Sequence, residues 1–256
     1  MAKLISIDLK GDFGFFRKPD TNNTVNLSYN IIHKPAILGI LGAVVGLGGY
    51  KEKGKWPEYY EVFKDLKIGV QPLSHDKGNY IKTNIKYSNT VGYANKGSNF
   101  LTEEMTLVKP EYRIFILLDL NDKLQKKLVD NLSQSFSEYI PYFGKNEFTA
   151  WWEKESYQEY EFEKCDSMPE SVQLQTVFKR ENIVKDNSEA PYPDLLNFEN
   201  TEVPFMYFER LPQGFDTDLF QYDMAEFVYA TYNIKNGMNL KNVYHLKKED
   251  WYVQLL

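Results

Sequence analysis

The sequence predicts an α+β chain of 256 residues. An RRM-like, ferredoxin-like N-terminal domain with a protruding β-hairpin occupies 1–150, and a small β-rich part occupies 151–256. Three observations predict this. Leu4, Ile5, Ile7 and Leu9, separated by Ser6 and Asp8, read as a first strand with a possible one-residue slip. Pro35–Gly49 is an uncharged apolar run with a proline at its start and glycines at its end, the pattern of a buried helix. Glu111–Leu120 (EYRIFILLDL) reads as a strand, followed directly by an amphipathic helix over Asp122–Ser135 with Leu124, Leu128, Val129 and Leu132 on one side. Strand, helix, long excursion, strand, helix is the opening of a βαββαβ arrangement, the topology of RNA-binding RRM modules. Topology alone does not fix function.

Between the first strand and the helix, Gly11–Lys34 reads as a polar loop, too long to be a mere connection. Phe13, Phe15, Phe16 and Tyr29 are interleaved there with Arg17, Lys18 and Lys34. Aromatics among cations suit base stacking and phosphate contact, and equally suit a loop anchored on the core with solvated lysines. Within the helix, Ala36, Gly39, Ala43 and Gly46 recur three to four residues apart and leave one face nearly bare. Each Gly costs roughly 1 kcal/mol of helix stability relative to Ala, so several together point to a packing or ligand constraint. The run is too short to span a membrane and lacks the G-x-G-x-x-G spacing of a dinucleotide loop.

Lys51–Trp56 is a basic turn, and Glu58–Leu66 reads as a short amphipathic helix. Lys67–Lys109 alternates polar and β-prone residues with Lys77, Lys82, Lys86 and Lys96 along it, which predicts an exposed basic hairpin or loop. In Glu138–Trp152, Pro141 and Gly144 mark a turn with Lys145 just beyond, and a Gly-Lys turn can hold a phosphate on its backbone N–H groups. Glu153–Glu163 is acidic and exposed in this reading, and short strands follow from Ser171, interrupted by a polar insertion over Lys179–Phe198.

The net charge of −6 conceals an asymmetry. Residues 1–118 carry 16 basic against 11 acidic side chains, whereas the remainder carries 14 against 25, so a polyanion is expected on the N-terminal half. The single cysteine, Cys165, excludes an internal disulfide and a multi-cysteine zinc site. Its acidic neighbours would raise the thiol pKa, which disfavours a nucleophile. His33, His75 and His245 have no metal-ligand spacing, and there is no P-loop or G-x-S-x-G elbow. The N-terminus alternates instead of following a signal-peptide layout. The reading is of a soluble, cytoplasmic protein without cofactor or membrane partner.

Three segments, in this order, resemble one family. They are the polar loop running into Lys34-Pro-Ala-Ile-Leu-Gly-Ile-Leu-Gly-Ala-Val-Val-Gly-Leu47, the strand entry Lys109-Pro-Glu-Tyr-Arg113, and the turn Tyr139-Ile-Pro-Tyr-Phe-Gly-Lys145. The family is the CRISPR-associated protein family five (Cas five) of the RAMP superfamily, and Gly11–Arg17 with Ser28-Tyr29 is most similar to subtype I-B members. The resemblance covers about the first 150 residues. It implies a non-catalytic subunit of a Cascade surveillance complex, with an RRM-like domain and a thumb hairpin, here about 67–110. Such a subunit caps the Cas seven backbone, binds the 5′ handle of the guide crRNA, and meets the large subunit near the target DNA PAM. Carried over by position, the RNA-binding residues are Arg17, Ser28, Tyr29, Lys34, Lys109, Tyr112, Arg113, Phe143, Gly144 and Lys145. Lys82, Lys86 and Lys96 are the expected thumb contacts. One branch of the family, in subtype I-C, is itself a metal-free ribonuclease using a Tyr after the glycine helix and a Lys-His pair at the far end of the thumb. Tyr50 matches the first, but Val108-Lys109-Pro110-Glu111 contains no His, which disfavours catalysis. An RRM-like module used only for protein assembly is the third reading.

Overall fold

The computed structural model describes residues 1–19, 24–88, 101–166, 169, 171–180, 204–235 and 240–256. Strand β1 (Ala2–Gly11) lies between β8 (Glu111–Asp119) and β10 (Gln158–Tyr160), and β5 (Lys67–Leu73) pairs the far edge of β8. All these pairings are antiparallel, and β9 (Ala150–Trp151) adds to the Lys10–Gly11 end of β1. Helix α1 (Lys34–Val45) precedes β5, and α3 (Lys123–Ser133) joins β8 to β10. The chain order β1–α1–β5–β8–α3–β10 with β8 inserted between β1 and β5 is the split βαββαβ arrangement.

Both faces of this sheet are covered. Ile5, Ile7 and Leu9 join Leu38, Leu41, Leu128 and Leu132 of the helices in the main core. Leu4 and Phe115 face a second cluster with Tyr160, Tyr244, Leu246 and Val253. Burial on both sides is why β1 does not alternate cleanly in sequence.

Helix α1 begins at His33, whose Nδ1 accepts from the Ala36 N–H at 3.3 Å, with Pro35 in the first turn. It ends at Gly46, whose φ of +85° lets its N–H reach the Gly42 carbonyl. This stop comes before the expected Gly48–Gly49, because a left-handed glycine closes the last turn. The short helix α2 (Glu58–Phe63) crosses α1 so closely that a Cβ on Gly42 would overlap the Tyr59 side chain. Asp122 caps α3 by accepting from the N–H groups of Leu124 and Gln125.

The stretch expected to be a loop, Gly11–Lys34, contributes β2 (Phe13–Gly14), β3 (Phe16–Arg17) and β4 (Val25–Tyr29). They join β7 (Leu101–Val108) in a second sheet ordered β2-β7-β4-β3, with β6 (Lys82–Ser88) also on β7. β6 and β7 run antiparallel from Lys82↔Leu107 to Ser88↔Leu101. Residues 89–100, with Lys96, lie outside the described residues. The start of the expected exposed excursion is instead the core strand β5, since Ile68 and Val70 are buried.

In the C-terminal part, β14 (Met206–Asp216) and β15 (Gln221–Ala230) form a long hairpin flanked by β13 (Phe178–Lys179). A second small sheet pairs β17 (Val243–Leu246) with β11 (Phe162–Lys164) and β18 (Trp251–Gln254), and β12 (Ser171–Val172) pairs β16 (Ile234–Lys235). The core does not divide at residue 150: Val177, Leu211, Phe227 and Tyr229 belong to the same cluster as Ile7 and Leu41. Most of the insertion expected at Lys179–Phe198 lies outside the described residues. Among the described residues no helix is long and apolar enough to cross a membrane.

Candidate nucleic-acid interface

Two adjoining grooves open along the bare face of α1. One, about 340 Å³, has Ala36, Gly39 and Ala43 as its floor and Tyr50, Tyr59 and Tyr142 among its walls. Among the described residues no charged side chain lines it. The other, about 380 Å³, is lined by Arg17, Lys145 and Glu104 with Phe15, Phe215 and Tyr222. Pro35, Ala36, Tyr50, Tyr59 and Gly144 line both, so the two form one continuous concavity. The small residues in α1 therefore serve two purposes: Gly42 admits α2, and Gly39 keeps the floor low.

Gly144 sets the junction. Its φ is +81°, and a Cβ there would overlap the Phe15 carbonyl oxygen. The Phe15 N–H donates to the Phe143 carbonyl at 3.0 Å, which lays the turn against the strand leading to Arg17. Two of the three segments that carry the family resemblance, the loop before α1 and the Tyr139–Lys145 turn, meet here with the helix itself.

Of the expected contact residues, Arg17, Gly144 and Lys145 are brought together. Arg17 is exposed and makes no ion pair among the described residues. Lys145 is engaged: its Nζ lies 2.8 Å from Glu104 and 3.1 Å from Glu147, and 4.0 Å from the centre of the Tyr87 ring. Partial burial alone would lower its pKa, but the hydrogen bonds with Glu104, Tyr87 and Glu147 outweigh this and push it up. Lys145 is thus a fixed cation.

The remaining expected contacts are placed elsewhere. Tyr29, Tyr112 and Phe143 are at most 1% exposed and cannot present a ring to a base. Tyr29 and Phe143 pack edge-on against His33 and Phe16, and the Tyr112 hydroxyl donates to the Asn30 carbonyl at 2.6 Å. Ser28 is buried and accepts from the Phe16 N–H at 2.9 Å. These four support the groove from beneath. Lys34 points to the other side of α1 and donates to the Leu256 carbonyl, with burial lowering its pKa to about 8. Arg113 makes a two-bond pair with Asp8 at 2.6 and 2.7 Å under the ring of Trp251. Lys109 is exposed at a left-handed position whose N–H donates to Asp12. Lys82 donates to Asn30 and Tyr80, and Lys86 pairs with Glu103 at 2.9 Å.

The aromatics that line the site are instead the exposed Tyr50, Tyr139 and Tyr142 and the half-buried Tyr59, Phe215 and Tyr222. Tyr142 carried a signal in the Pro-Tyr-Phe-Gly turn, and Tyr50 in its place after the glycine helix. Phe215 and Tyr222 carried none, since they come from the distant β14–β15 hairpin. Burial raises the hydroxyl pKa of Tyr50 and Tyr59, so both are neutral hydrogen-bonding phenols. His33, between the rings of Phe16, Tyr29 and Tyr222, is neutral as well, its pKa lowered to about 3 by burial. Neutral aromatic walls, a small-residue floor and a cationic end can hold an unpaired strand, with rings for bases and cations for phosphates.

No protein-family model matches the chain, and no curated protein matches it in sequence. Solved structures resemble it in fold. The chain is similar to a component of the type III-B Cmr-beta complex bound to cognate target RNA and AMPPnP, at 11% identity and a TM-score of 0.50, over 99% of each chain. The likeness is one of fold. A CRISPR protein from Archaeoglobus fulgidus aligns over 98% of this chain and 97% of its own, at 12% identity and a TM-score of 0.49. A chain of a CRISPR RNA-guided surveillance complex aligns over 90% of both, at 13% identity and a TM-score of 0.47.

Proposed function

We propose that this chain is a non-catalytic RNA-binding subunit of a type I CRISPR surveillance complex, cytoplasmic and most similar to subtype I-B. In this reading it holds the 5′ handle of the guide crRNA and caps the Cas seven backbone. It also receives the large subunit near the target DNA PAM. The observation that carries the reading is the convergence of the loop before α1, the small-residue face of α1 and the Gly144 turn on one groove with aromatic walls and Arg17 at its edge. The resemblance of those same segments to the Cas five family supports it, and so does the fold shared with a chain of an RNA-bound Cmr complex. In this reading the antiparallel β6–β7 pair, with Lys82 and Lys86 on β6, is the counterpart of the expected thumb.

The test is to co-express the chain with its genomic neighbours and a repeat–spacer array, purify it, and sequence the RNA ends it retains. A uniform RNA with a repeat-derived 5′ end is expected. Arg17→Glu should reduce its retention and make the salt dependence shallower by about one unit of log–log slope. No retained RNA would leave only the protein-assembly reading. One observation favours a second reading: Tyr50 is 62% exposed on the groove, where the ribonuclease branch has its tyrosine. Cleavage of repeat RNA by the chain alone, lost in Tyr50→Phe, would establish that reading instead.

A further inference from the structure

The floor and cationic edge of the groove come from N-terminal segments, with Phe215 and Tyr222 added by the C-terminal hairpin, and the bend from which its walls diverge is also held by a residue of that hairpin. Glu209 on β14 is a buried carboxylate, its side chain 4% exposed. Its oxygens accept from the Asn30 N–H at 3.0 and 3.1 Å and from the Ile31 N–H at 2.9 Å. The Lys18 ammonium lies 3.0 Å away and balances its charge. Lys18 directly follows Arg17, while Asn30 and Ile31 lead through Ile32 into His33, the cap of α1. One carboxylate thus ties the strand bearing Arg17 to the start of the helix whose bare face floors the groove.

Asn30 is fixed from every side. Its carbonyl accepts from Tyr112, its side-chain amide donates to the Gly78 carbonyl, and its side-chain oxygen accepts from the Tyr80 N–H and from Lys82. Among the described residues its N–H has no partner but Glu209. The two N–H groups lie after β4 and before α1, outside the ladder and the helix, so without the carboxylate they would be buried donors with no acceptor.

We propose that Glu209 is a positioning residue for the nucleic-acid groove, fixing the Asn30–Ile31 bend that sets Arg17 against α1. The inference rests on the RNA-binding reading for its functional consequence, not for its structural one. The Tyr207 hydroxyl also hydrogen-bonds this carboxylate, and a glutamine at 209 would offer the two backbone N–H groups and Lys18 only one oxygen in place of two.

The test uses the full chain in four forms: wild type, Glu209→Gln, Lys18→Met/Glu209→Gln, and Val253→Ala. The last is a buried control in the cluster on the opposite face of the sheet. Amide hydrogen exchange at 30 and 31 and affinity for a fluorescein-labelled single-stranded RNA of repeat sequence are measured for each. Expected are at least tenfold faster exchange at both amides in Glu209→Gln and at least fivefold weaker RNA binding. The double variant should stay weak, because the carboxylate and not the charge balance holds the bend. The control, at a comparable loss of thermal midpoint, should bind RNA like wild type. Unchanged exchange in Glu209→Gln, full recovery in the double variant, or equal loss of affinity in the control would each overturn the inference. Wild type that binds no RNA would instead overturn the reading of the site, and the exchange measurement would still decide the role of Glu209.

Discussion

At the scale of single residues, the site is defined by which side chains are already committed. Arg113, Lys145 and Lys86 carry the charge that a phosphate would need, yet each is paired with a carboxylate, leaving Arg17 at the groove edge. His33 shows a different commitment. Its Nδ1 accepts the first-turn N–H of α1, and three aromatic rings and full burial keep the ring neutral down to a pKa of about 3. The unfolded chain takes up a proton there near the ordinary pKa of about 6.5, and the folded chain does not. Between those values the unfolded state therefore binds more protons, so this residue's contribution falls as pH falls, by at most about 1.4 kcal/mol per pH unit. Thermal midpoints should drop between pH 6.5 and 5 in the wild type. In His33→Asn, which retains a capping acceptor but cannot titrate, the drop over the same interval should be smaller although the starting midpoint is lower. Parallel curves for the two proteins would remove His33 as the source.

At the scale of elements, helix α1 carries two glycines whose substitution should act in opposite directions. A methyl at Gly39 would sit 3.7 Å from the Tyr59 ring, an ordinary contact, so Gly39→Ala should gain helix propensity of up to about 1 kcal/mol. Gly42 faces the Cβ of the same tyrosine where its backbone is close, so Gly42→Leu should overpack the α1–α2 contact and cost about 1–3 kcal/mol or more. Urea titration of both variants decides the matter, and a stable Gly42→Leu would mean that α2 moves freely away. The glycine pattern was legible in the sequence because small residues at helical spacing announce a close neighbour, though not which one. The stripe of α3 and the run of β8 were equally legible, each being a long element with one period. The strands β2, β3 and β4 were not, since two to five residues carry too little alternation to separate from a loop. Aromatic content marked the neighbourhood of the site but not the rings that line it. Tyr29 and Phe143 are covered by Phe16 and His33, while Tyr222 arrives from a hairpin about two hundred residues away.

At the scale of the molecule, the division read from sequence at residue 150 follows the extent of the family resemblance, and the main core holds residues from both sides of it. Fourth strand β10 comes from beyond it, and Ile68 exchanges N–H and carbonyl bonds with Leu256 at 3.0 Å each. A side chain on Gly69 would meet the Gln254 carbonyl and Leu255 at 2.9 Å, so the last residues lie directly on the backbone of β5. Glu209 reaches back to Asn30, Tyr60 accepts from the Phe215 N–H at 2.8 Å, and the main core holds residues from both parts. An N-terminal unit without these partners would expose Val70 and Ile68 and leave the Asn30 and Ile31 N–H groups unsatisfied. The two parts should therefore unfold together. Calorimetry is expected to give one transition with calorimetric and van't Hoff enthalpies equal, and Gly69→Val, which forces the C-terminal strand off β5, should lower that transition without splitting it. Two resolved transitions in the wild type would show that the shared core contributes too little to couple the parts.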